Sequence, residues 1–370
     1  MNILPFLKVM MEKKASDLFL TAGFPVSAKI DGELRPMTEM ALTDKAVLAM
    51  VESMMTDAQK EEFHRTKECN FAYGIKGYGR FRVSAFWQRE SPGAVMRRIE
   101  TTIPDMDDLM LPTILKDVCM SKRGLVIMVG ATGTGKSTSL ASMVGYRNRN
   151  SKGHILTIED PVEFVHKHEQ CIITQREVGI DTESFDAALK SSLRQAPDVI
   201  LIGEIRTQET MEFALAFAET GHLCMATLHA NNANQALDRI MHLVPKDRHS
   251  QLLFDLSLNL KAIVAQQLVP RSDGQGRRAA IEVLMNSSRV SDIIAKGELH
   301  LLKDTMAKSN EQGMQTFDQA LFKLYADGEI SYADALHYAD SPNDLRLMIK
   351  LKNSDNNNSG LMENVTVDLD

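Results

Sequence analysis

The spacing of apolar positions changes at about residue 114, and this change divides the chain. From there to about residue 350, short apolar runs alternate with segments whose apolar residues recur at helical spacing. The pattern predicts strands at 124–129, 154–158, 198–202 and 222–227, and helices at 137–148, 184–195 and 207–219. Strands that alternate with helices form a parallel sheet with both faces covered. We therefore expect an α/β domain over 114–352, in a chain whose last third is mostly helical.

The first hundred residues predict a separate α+β unit over 1–99. Residues 80–87 alternate, which places Phe81 and Val83 on one face of a strand and Arg82 on the other. Helical spacing near 43–65 precedes this strand. The apolar N-terminal stretch has its lysines after the apolar part and no small-residue cleavage site, so we expect a packed first helix rather than a signal peptide.

Two polar segments predict boundaries. Residues 100–113 are acidic and contain two prolines, which is typical of a linker. Residues 353–370 contain five asparagines, four acids and no base, which predicts a disordered acidic tail.

Composition narrows the function classes. The net charge of −7 argues against a nucleic-acid partner bound through a broad basic face. The longest apolar runs are shorter than a bilayer span, so no direct membrane insertion is expected. The four cysteines are far apart, without CxxC spacing, which predicts a reduced, cytoplasmic chain without a zinc module.

The most informative motif is a P-loop at the end of the apolar run 125–129. A glycine, four residues, and then Gly135, Lys136 and Ser137 fit the pattern, and a helical segment follows. Backbone N–H groups of such a loop cradle phosphates, the lysine reaches the β- and γ-phosphates, and the serine ligates Mg²⁺. The alternative is a glycine-rich surface turn. The predicted nucleotide-binding residues of the loop are Gly130, Ala131, Thr132, Gly133, Thr134, Gly135, Lys136, Ser137 and Thr138.

Two acidic segments follow predicted strands. Glu159, Asp160 and Glu163 come after the strand at 154–158, and a carboxylate there can position water against a γ-phosphate. The alternative is a helix cap with solvated acids. Glu204 ends the strand at 198–202, as in a Walker B segment, where it could hold Mg²⁺ or polarise water, unless it is an acid without a role.

Two histidines, His222 and His229, bracket the strand at 222–227. Their separation of seven residues puts them on different pleat faces. They are either hydrogen-bonded structural histidines or a sensor of the γ-phosphate.

In this order, SDLFL at 16–20, the P-loop, the acidic segment, Gly-Glu at 203–204 and GHLCMATLHA at 221–230 resemble the secretion/pilus ATPase family. Within it, they are similar to the PilT/PilU branch of type IVa pilus retraction ATPases. The resemblance covers roughly residues 1–345. It implies a RecA-like ATPase domain, a small PAS-like N-terminal domain, bound ATP and Mg²⁺, and a hexameric ring beside the inner membrane. It also implies that Arg82 and Arg97, with Arg98 adjacent, reach the neighbouring subunit's nucleotide; on the residues alone they could equally form a solvated face.

Departures from the family pattern favour the accessory, PilU-type side of the branch. The four-cysteine module of extension and secretion ATPases is missing. The pattern of an AIRNLI-like helix is lost at 289–295. The asparagine-rich acidic tail at 353–370 extends beyond the usual end of PilT-type chains. Arg206 is followed by Thr207 where the family usually has Asp, and we attach no energetic meaning to that change.

The sequence thus predicts an ATP hydrolase that powers or assists pilus retraction and twitching motility. Lys136 and Mg²⁺ near Ser137 and Glu204 would neutralise phosphate charge, and Glu163, or else Glu204, would be the general base. Expected partners are further copies of the chain, a PilT-like retraction ATPase and the inner-membrane pilus platform protein. The alternatives are an ATP-binding scaffold for a PilT-like motor with little turnover, an extension ATPase, and an unrelated P-loop enzyme.

Overall fold

A computed structural model describes residues 3–30, 32–75, 79–99 and 102–362 of the chain, with side chains up to residue 352. They form two units. The first is Met1–Thr102 with Val162–Val165, and the second is Ile103–Pro161 with His166–Asp370. Among the described residues, no helix is both long and apolar enough to cross a bilayer.

The first unit is built on a six-stranded antiparallel sheet in the order β3-β2-β1-β6-β5-β4. The strands are β1 Asp17–Thr21, β2 Pro25–Ile30, β3 Glu33–Ala41, β4 Glu68–Ile75, β5 Gly79–Gln88 and β6 Ser91–Ile99. The helices are α1 Leu4–Glu12, α2 Asp44–Glu52 and α3 Asp57–Thr66.

One core joins the sheet and helices of this unit. Leu7 and Met10 of α1 are buried, which confirms the packed first helix. On β5, Phe81 and Val83 are buried while Arg82 is half-exposed, so the predicted alternation is confirmed. Thr56 begins α3 with a reciprocal capping box to Gln59, a local signal for a helix start.

The second unit is built on a seven-stranded sheet in the order β13-β12-β7-β11-β10-β8-β9, parallel except for the β12–β13 pair. The strands are β7 Gly124–Val129, β8 Gly153–Glu159, β9 Cys171–Glu177, β10 Val199–Ile202, β11 Leu223–Leu228, β12 Leu260–Pro270 and β13 Arg277–Met285.

Helices cover both faces of this sheet. They are α4 Ile114–Cys119, α5 Lys136–Asn150, α6 Phe185–Ser192, α7 Gln208–Glu219, α8 Ala233–His242, α9 His249–Asn259, α10 Ser288–Lys296, α11 Leu302–Ala307, α12 Phe317–Ala326, α13 Tyr332–Tyr338 and α14 Pro342–Met362. Short 3₁₀ helices lie at Leu193–Gln195, Lys246–Arg248, Leu299–Leu301 and Asn310–Gln312.

Successive residues of β7 belong to two different apolar clusters. Leu125 and Ile127 pack with α7 to α10, whereas Val126 and Met128 pack with α4 and α5. A strand buried on both faces reads as a continuous apolar run, which is why β7, β10 and β11 lie within one residue of their predicted bounds.

The last third of the chain is mostly helical, as predicted, but it also contains the long hairpin of β12 and β13, which was not predicted. Both strands are largely buried. A long apolar run without alternation cannot be distinguished from a buried helix by periodicity. The segment 289–295, which lacks the expected family pattern, is nevertheless helical and lies within α10.

The structure describes most of the predicted linker and the first part of the predicted tail. Met106 and Leu111 of the predicted linker are buried in the second unit, and residues 100 and 101 lie outside the described residues. Helix α14 continues to Met362, ten residues into the predicted tail, and residues 363–370 lie outside the described residues. Extending an existing helix costs only tenths of a kcal/mol per polar residue.

We expect Arg147 to stabilise the second unit. The side chain is 7% exposed, and its Nη1 donates to the carbonyls of Cys119 and Ser121, both at 2.7 Å. Arg147→Met leaves one buried and one half-buried carbonyl without this donor, so the free energy of unfolding should fall by about 2–4 kcal/mol. Urea unfolding followed by circular dichroism measures this. Exposed Arg346→Met is the control, and an equal effect of both substitutions would contradict the assignment.

Candidate functional site

The P-loop lies between β7 and α5 and has room only for glycine at two positions. A Cβ at Gly130 would lie 2.5 Å from Thr134 Oγ1 and 2.6 Å from the Gln266 carbonyl oxygen. A Cβ at Gly135 would lie 2.7 Å from Gln266 Nε2, and the φ of Gly135 is +85°. Any side chain at either position would push the loop off β12.

Lys136 is folded against the inside of the same loop. Its Nζ donates to the carbonyls of Gly130 at 2.7 Å and Ala131 at 2.9 Å, and the residue is 9% exposed. Thr134 Oγ1 also donates to the Ala131 carbonyl, at 2.9 Å. The loop is therefore wound tightly at the N-terminus of α5, where helix N–H groups favour an anion.

Sequence reasoning missed Gln266, which contacts this loop from β12. The residue is 2% exposed and hydrogen-bonds both Thr134 and Ser139. The available signal was a pair of glutamines within an otherwise apolar run, because a buried polar residue is more informative than a buried apolar one.

Parallel pairing brings the predicted Glu204 and His229 to the edge that carries the P-loop. Val129 pairs with Leu228, and Ile202 pairs with Ala226, so these three strands end together. Glu204 Oε1 lies 3.3 Å from His229 Nε2, and Glu204 Oε2 accepts from Arg206 Nε at 2.7 Å. The Glu204 side chain is 16% exposed and is held at both oxygens.

Two cavities in the second unit include P-loop residues. One of about 550 Å³ is lined by Ala131 together with His229 and Asn231. Another of about 340 Å³ is lined by residues 130–134 together with Arg277 and Tyr338. These volumes are in the range of small-ligand sites. Ala131 of the P-loop and His229 therefore line one cavity of ligand size, and Glu204 adjoins it through its contact with His229.

The predicted acids after β8 are farther along the same edge. Glu159 accepts from Thr157 Oγ1 at 2.6 Å and from Gln175 Nε2 at 3.3 Å. Since β8 is three strands from β7, Glu159 lies roughly 15 Å along the sheet from the P-loop strand. Glu163 is exposed and lies in segment 162–165, which groups with the first unit.

His222 is not brought to the P-loop of its own chain. It precedes β11, and its carbonyl accepts from the Gly124 N–H, at the beginning of β7. The ring Nδ1 lies 3.0 Å from Thr220 Oγ1. Because β11 is fully extended, His222 is roughly 20 Å from His229, so its position does not support a role in binding the same nucleotide.

Arg82 and Arg97 of the first unit lie side by side on the solvent face of its sheet. They are paired residues on β5 and β6. Arg97 Nε donates to Asp17 Oδ1 at 2.8 Å, yet the Arg97 side chain remains 70% exposed. The Asp17 carboxylate thus holds Arg97 outward beside Arg82.

Mg²⁺ is compatible with the residues present at the P-loop. The described residues contain no cluster of three or more histidine, cysteine or acidic side chains that could hold a metal ion. A protein cage is not needed, since Mg²⁺ usually takes one or two protein oxygens and the rest from water and phosphates. The Ser137 hydroxyl and the Glu204 carboxylate are the matching donors.

Helix α8, which follows the loop after His229, begins on a buried carboxylate. Glu282 on β13 is 3% exposed, and its Oε1 accepts from the Ala233 N–H at 2.8 Å. The Phe317 N–H, at the start of α12, also donates to Glu282. Burial raises the pKa of Glu282 to about 7, against these two hydrogen bonds.

Comparison with known proteins agrees with this site. The family model described as "Type II/IV secretion system protein" matches residues 2–313. "Type IV pilus ATPase PilU" of Pseudomonas aeruginosa is 63% identical over 345 residues, covering 93% of this chain and 90% of that protein. "Type IV pilus retractation ATPase PilT" of the same organism is 39% identical over 342 residues, covering 92% and 99%.

A solved structure is also similar. The crystal structure described as the pilus retraction motor PilT with bound ADP superposes with a TM-score of 0.88 at 39% identity, covering 94% of this chain and 99% of that chain. The fold and the site define a P-loop ATPase of the α/β class. The chain belongs to the type II/IV secretion system protein family, in the PilT/PilU group of type IV pilus ATPases, and the predicted family is confirmed.

We expect Glu282 to make stability depend on pH. Its carboxyl takes up a proton on folding between the unfolded pKa, near 4.3, and about 7, so its contribution is complete at low pH and is lost as the pH rises through 7. The loss should be on the order of 3 kcal/mol. The charge of Asp340 raises the pKa of Glu282 further, and Lys303, which pairs with Asp318, lowers that pKa.

Urea unfolding from about pH 5 to about pH 8 measures this effect. Glu282→Gln should flatten the pH dependence, whereas exposed Glu311→Gln should leave it as in the wild type. Parallel curves for wild type and Glu282→Gln would show that Glu282 does not titrate in this range.

Proposed function

We propose that the protein is a motor ATPase that hydrolyses ATP to power or assist type IV pilus retraction and twitching motility. The observation that carries the proposal is the P-loop wound around Lys136 at the edge where Glu204 and His229 pair. Membership of the PilT/PilU group directs this chemistry to pili, since relatives are named as pilus ATPases and a retraction motor.

ATP would bind with its phosphates on residues 130–138. Lys136 would leave the carbonyls of Gly130 and Ala131 for the β- and γ-phosphates, and the loop and the start of α5 would supply N–H donors. His229 lines the same cavity as Ala131 and would sense the γ-phosphate.

Bound Mg²⁺ would neutralise the charge that develops on the β- and γ-phosphates. Ser137 and Glu204 would hold the Mg²⁺ ion. Arg206 and His229 fix the orientation of the Glu204 carboxylate for this role. We assign Glu163 as the base that positions water. Glu204 is the other candidate for this role.

We further propose that the chain forms a hexamer, with a PAS-like first unit and a RecA-like second unit. Arg82 and Arg97 would complete the neighbour's nucleotide site, which the adjacent positions of half-exposed Arg82 and exposed Arg97 support. The motor would work in the cytoplasm at the inner-membrane pilus machine, with the platform protein and a PilT-like ATPase as partners. The higher identity to PilU than to PilT supports an assisting role.

The first test is hydrolysis by the purified chain, with its mass followed by light scattering. We expect a hexamer whose ATP turnover falls at least about a hundred-fold in Lys136→Ala, since the lysine neutralises transition-state charge. Lys190→Ala, which removes an exposed lysine of α6, should not change turnover. Nucleotide binding with turnover no faster than that of Lys136→Ala would instead identify an ATP-binding scaffold for another motor.

Mixing inactive variants tests the arginines of the neighbouring subunit. Lys136→Ala and Arg97→Gln should each be inactive alone. In a random one-to-one mixture, about a quarter of the interfaces between subunits should combine an intact lysine with an intact arginine and recover turnover. A mixture of Lys136→Ala and Glu204→Ala is the control, because those groups would act in one subunit. Recovery no greater than in the control would leave Arg97 as part of a solvated face.

A further inference from the structure

We infer that Gln266 is a positioning residue that sets the affinity of the P-loop for nucleotide phosphates. The inference rests on the proposed nucleotide site and concerns a residue of β12, outside the P-loop motif. Gln266 is far from the motif in sequence but adjacent to it in space, because β12 pairs with β7.

The Gln266 side chain bridges the P-loop and the helix that follows it. Its Nε2 donates to the Thr134 carbonyl at 2.7 Å, and its Oε1 accepts from Ser139 Oγ at 2.8 Å. Ser139 lies in the first turn of α5 and is 1% exposed, as against 2% for Gln266. One buried amide thus fixes both the end of the loop and the start of α5.

The orientation of this amide follows from its partners. A backbone carbonyl can only accept, so the NH₂ group must face Thr134, and the amide oxygen is left to accept from the Ser139 hydroxyl. The reverse orientation would place two oxygens against each other at 2.7 Å.

Fixing the Thr134 carbonyl also fixes an N–H group of the P-loop. The peptide between Thr134 and Gly135 is planar and trans, so the Gly135 N–H points away from the carbonyl and therefore away from Gln266. P-loop N–H groups are the phosphate donors, and a donor already aimed need not be ordered when the ligand binds. Glycine at 135 gives this peptide freedom to rotate, which the Gln266 hydrogen bond removes.

Gln266→Leu tests the inference. It keeps the size of the side chain and removes both hydrogen bonds. We expect ADP affinity, measured by calorimetry, to fall about ten-fold, the KM for ATP to rise similarly and kcat to change less than about three-fold, because uniform phosphate binding is lost.

Asn286→Leu is a matched control. Asn286 is half-buried in the same unit, and its Nδ2 donates to the carbonyls of Ser257 and Leu260, both at 2.9 Å, at the end of β12 that pairs with the beginning of β7, opposite the P-loop. It should leave ADP affinity unchanged even if it lowers the melting temperature. Equal ADP affinities for wild type and Gln266→Leu, or equal losses in both variants, would overturn the inference.

Gln266→Glu gives a readout that packing alone would not change. At high pH its carboxylate faces the Thr134 carbonyl oxygen, and the two oxygens repel each other. ADP affinity should therefore fall by at least about ten-fold, which corresponds to the loss of one hydrogen bond to the loop. Once protonated, the same group can donate to that carbonyl, so affinity should recover relative to wild type between about pH 8 and about pH 6. A deficit that does not depend on pH would overturn the inference.

These measurements separate the two proposals. ADP binding requires neither hydrolysis nor pili, so a wild-type chain that binds ADP without turnover would refute the motor function and still test Gln266. Should Gln266→Leu fail to fold, Ser139→Ala removes one of the two bonds and should weaken ADP binding less than Gln266→Glu does.

Discussion

The in-register parallel pairing of β7, β11 and β10 is the constraint on which the site depends. Val129, Leu228 and Ile202 end these strands within one sheet edge, so the P-loop, His229 and Glu204 must emerge together. The P-loop, Glu204 and His229 are far apart in sequence. Their approach follows from strands that are buried on both faces and cannot change register without exposing apolar side chains.

The shape of the P-loop depends on a second strand, β12, on the other side of β7. The Gln266 carbonyl oxygen and side chain occupy the space that a Cβ at Gly130 or Gly135 would take. The two glycines are therefore required by β12 as well as by any phosphate. A phosphate-binding motif that seems local in the sequence is in this respect completed by a strand about 130 residues later.

The parts of the fold that the sequence predicted are those with a local cause. β7 and β11 are apolar runs, and Thr207 begins α7 as an N-cap. The β12–β13 hairpin was missed because its long apolar run carries no period. The P-loop was predictable from spacing. The glutamine pair marks Gln266 as unusual, but its contact with the P-loop follows only from strand order. His222 and His229 lie at opposite ends of β11, as their spacing predicted, and a shared role at one nucleotide remains a prediction.

The same hairpin places the P-loop close to the start of two helices. In the β12–β13 register, Gln266 pairs with Ile281 and Ala265 pairs with Glu282. Glu282 in turn holds the first N–H groups of α8 and α12. A shift of the P-loop that moved Gln266 would thus act on β12. The next residue pair of β12 and β13 includes Glu282, whose carboxylate joins both helices. Because close-packed interiors transmit displacement rather than absorb it, this hairpin is one physical connection in the second unit between the phosphate-binding edge and the C-terminal helices.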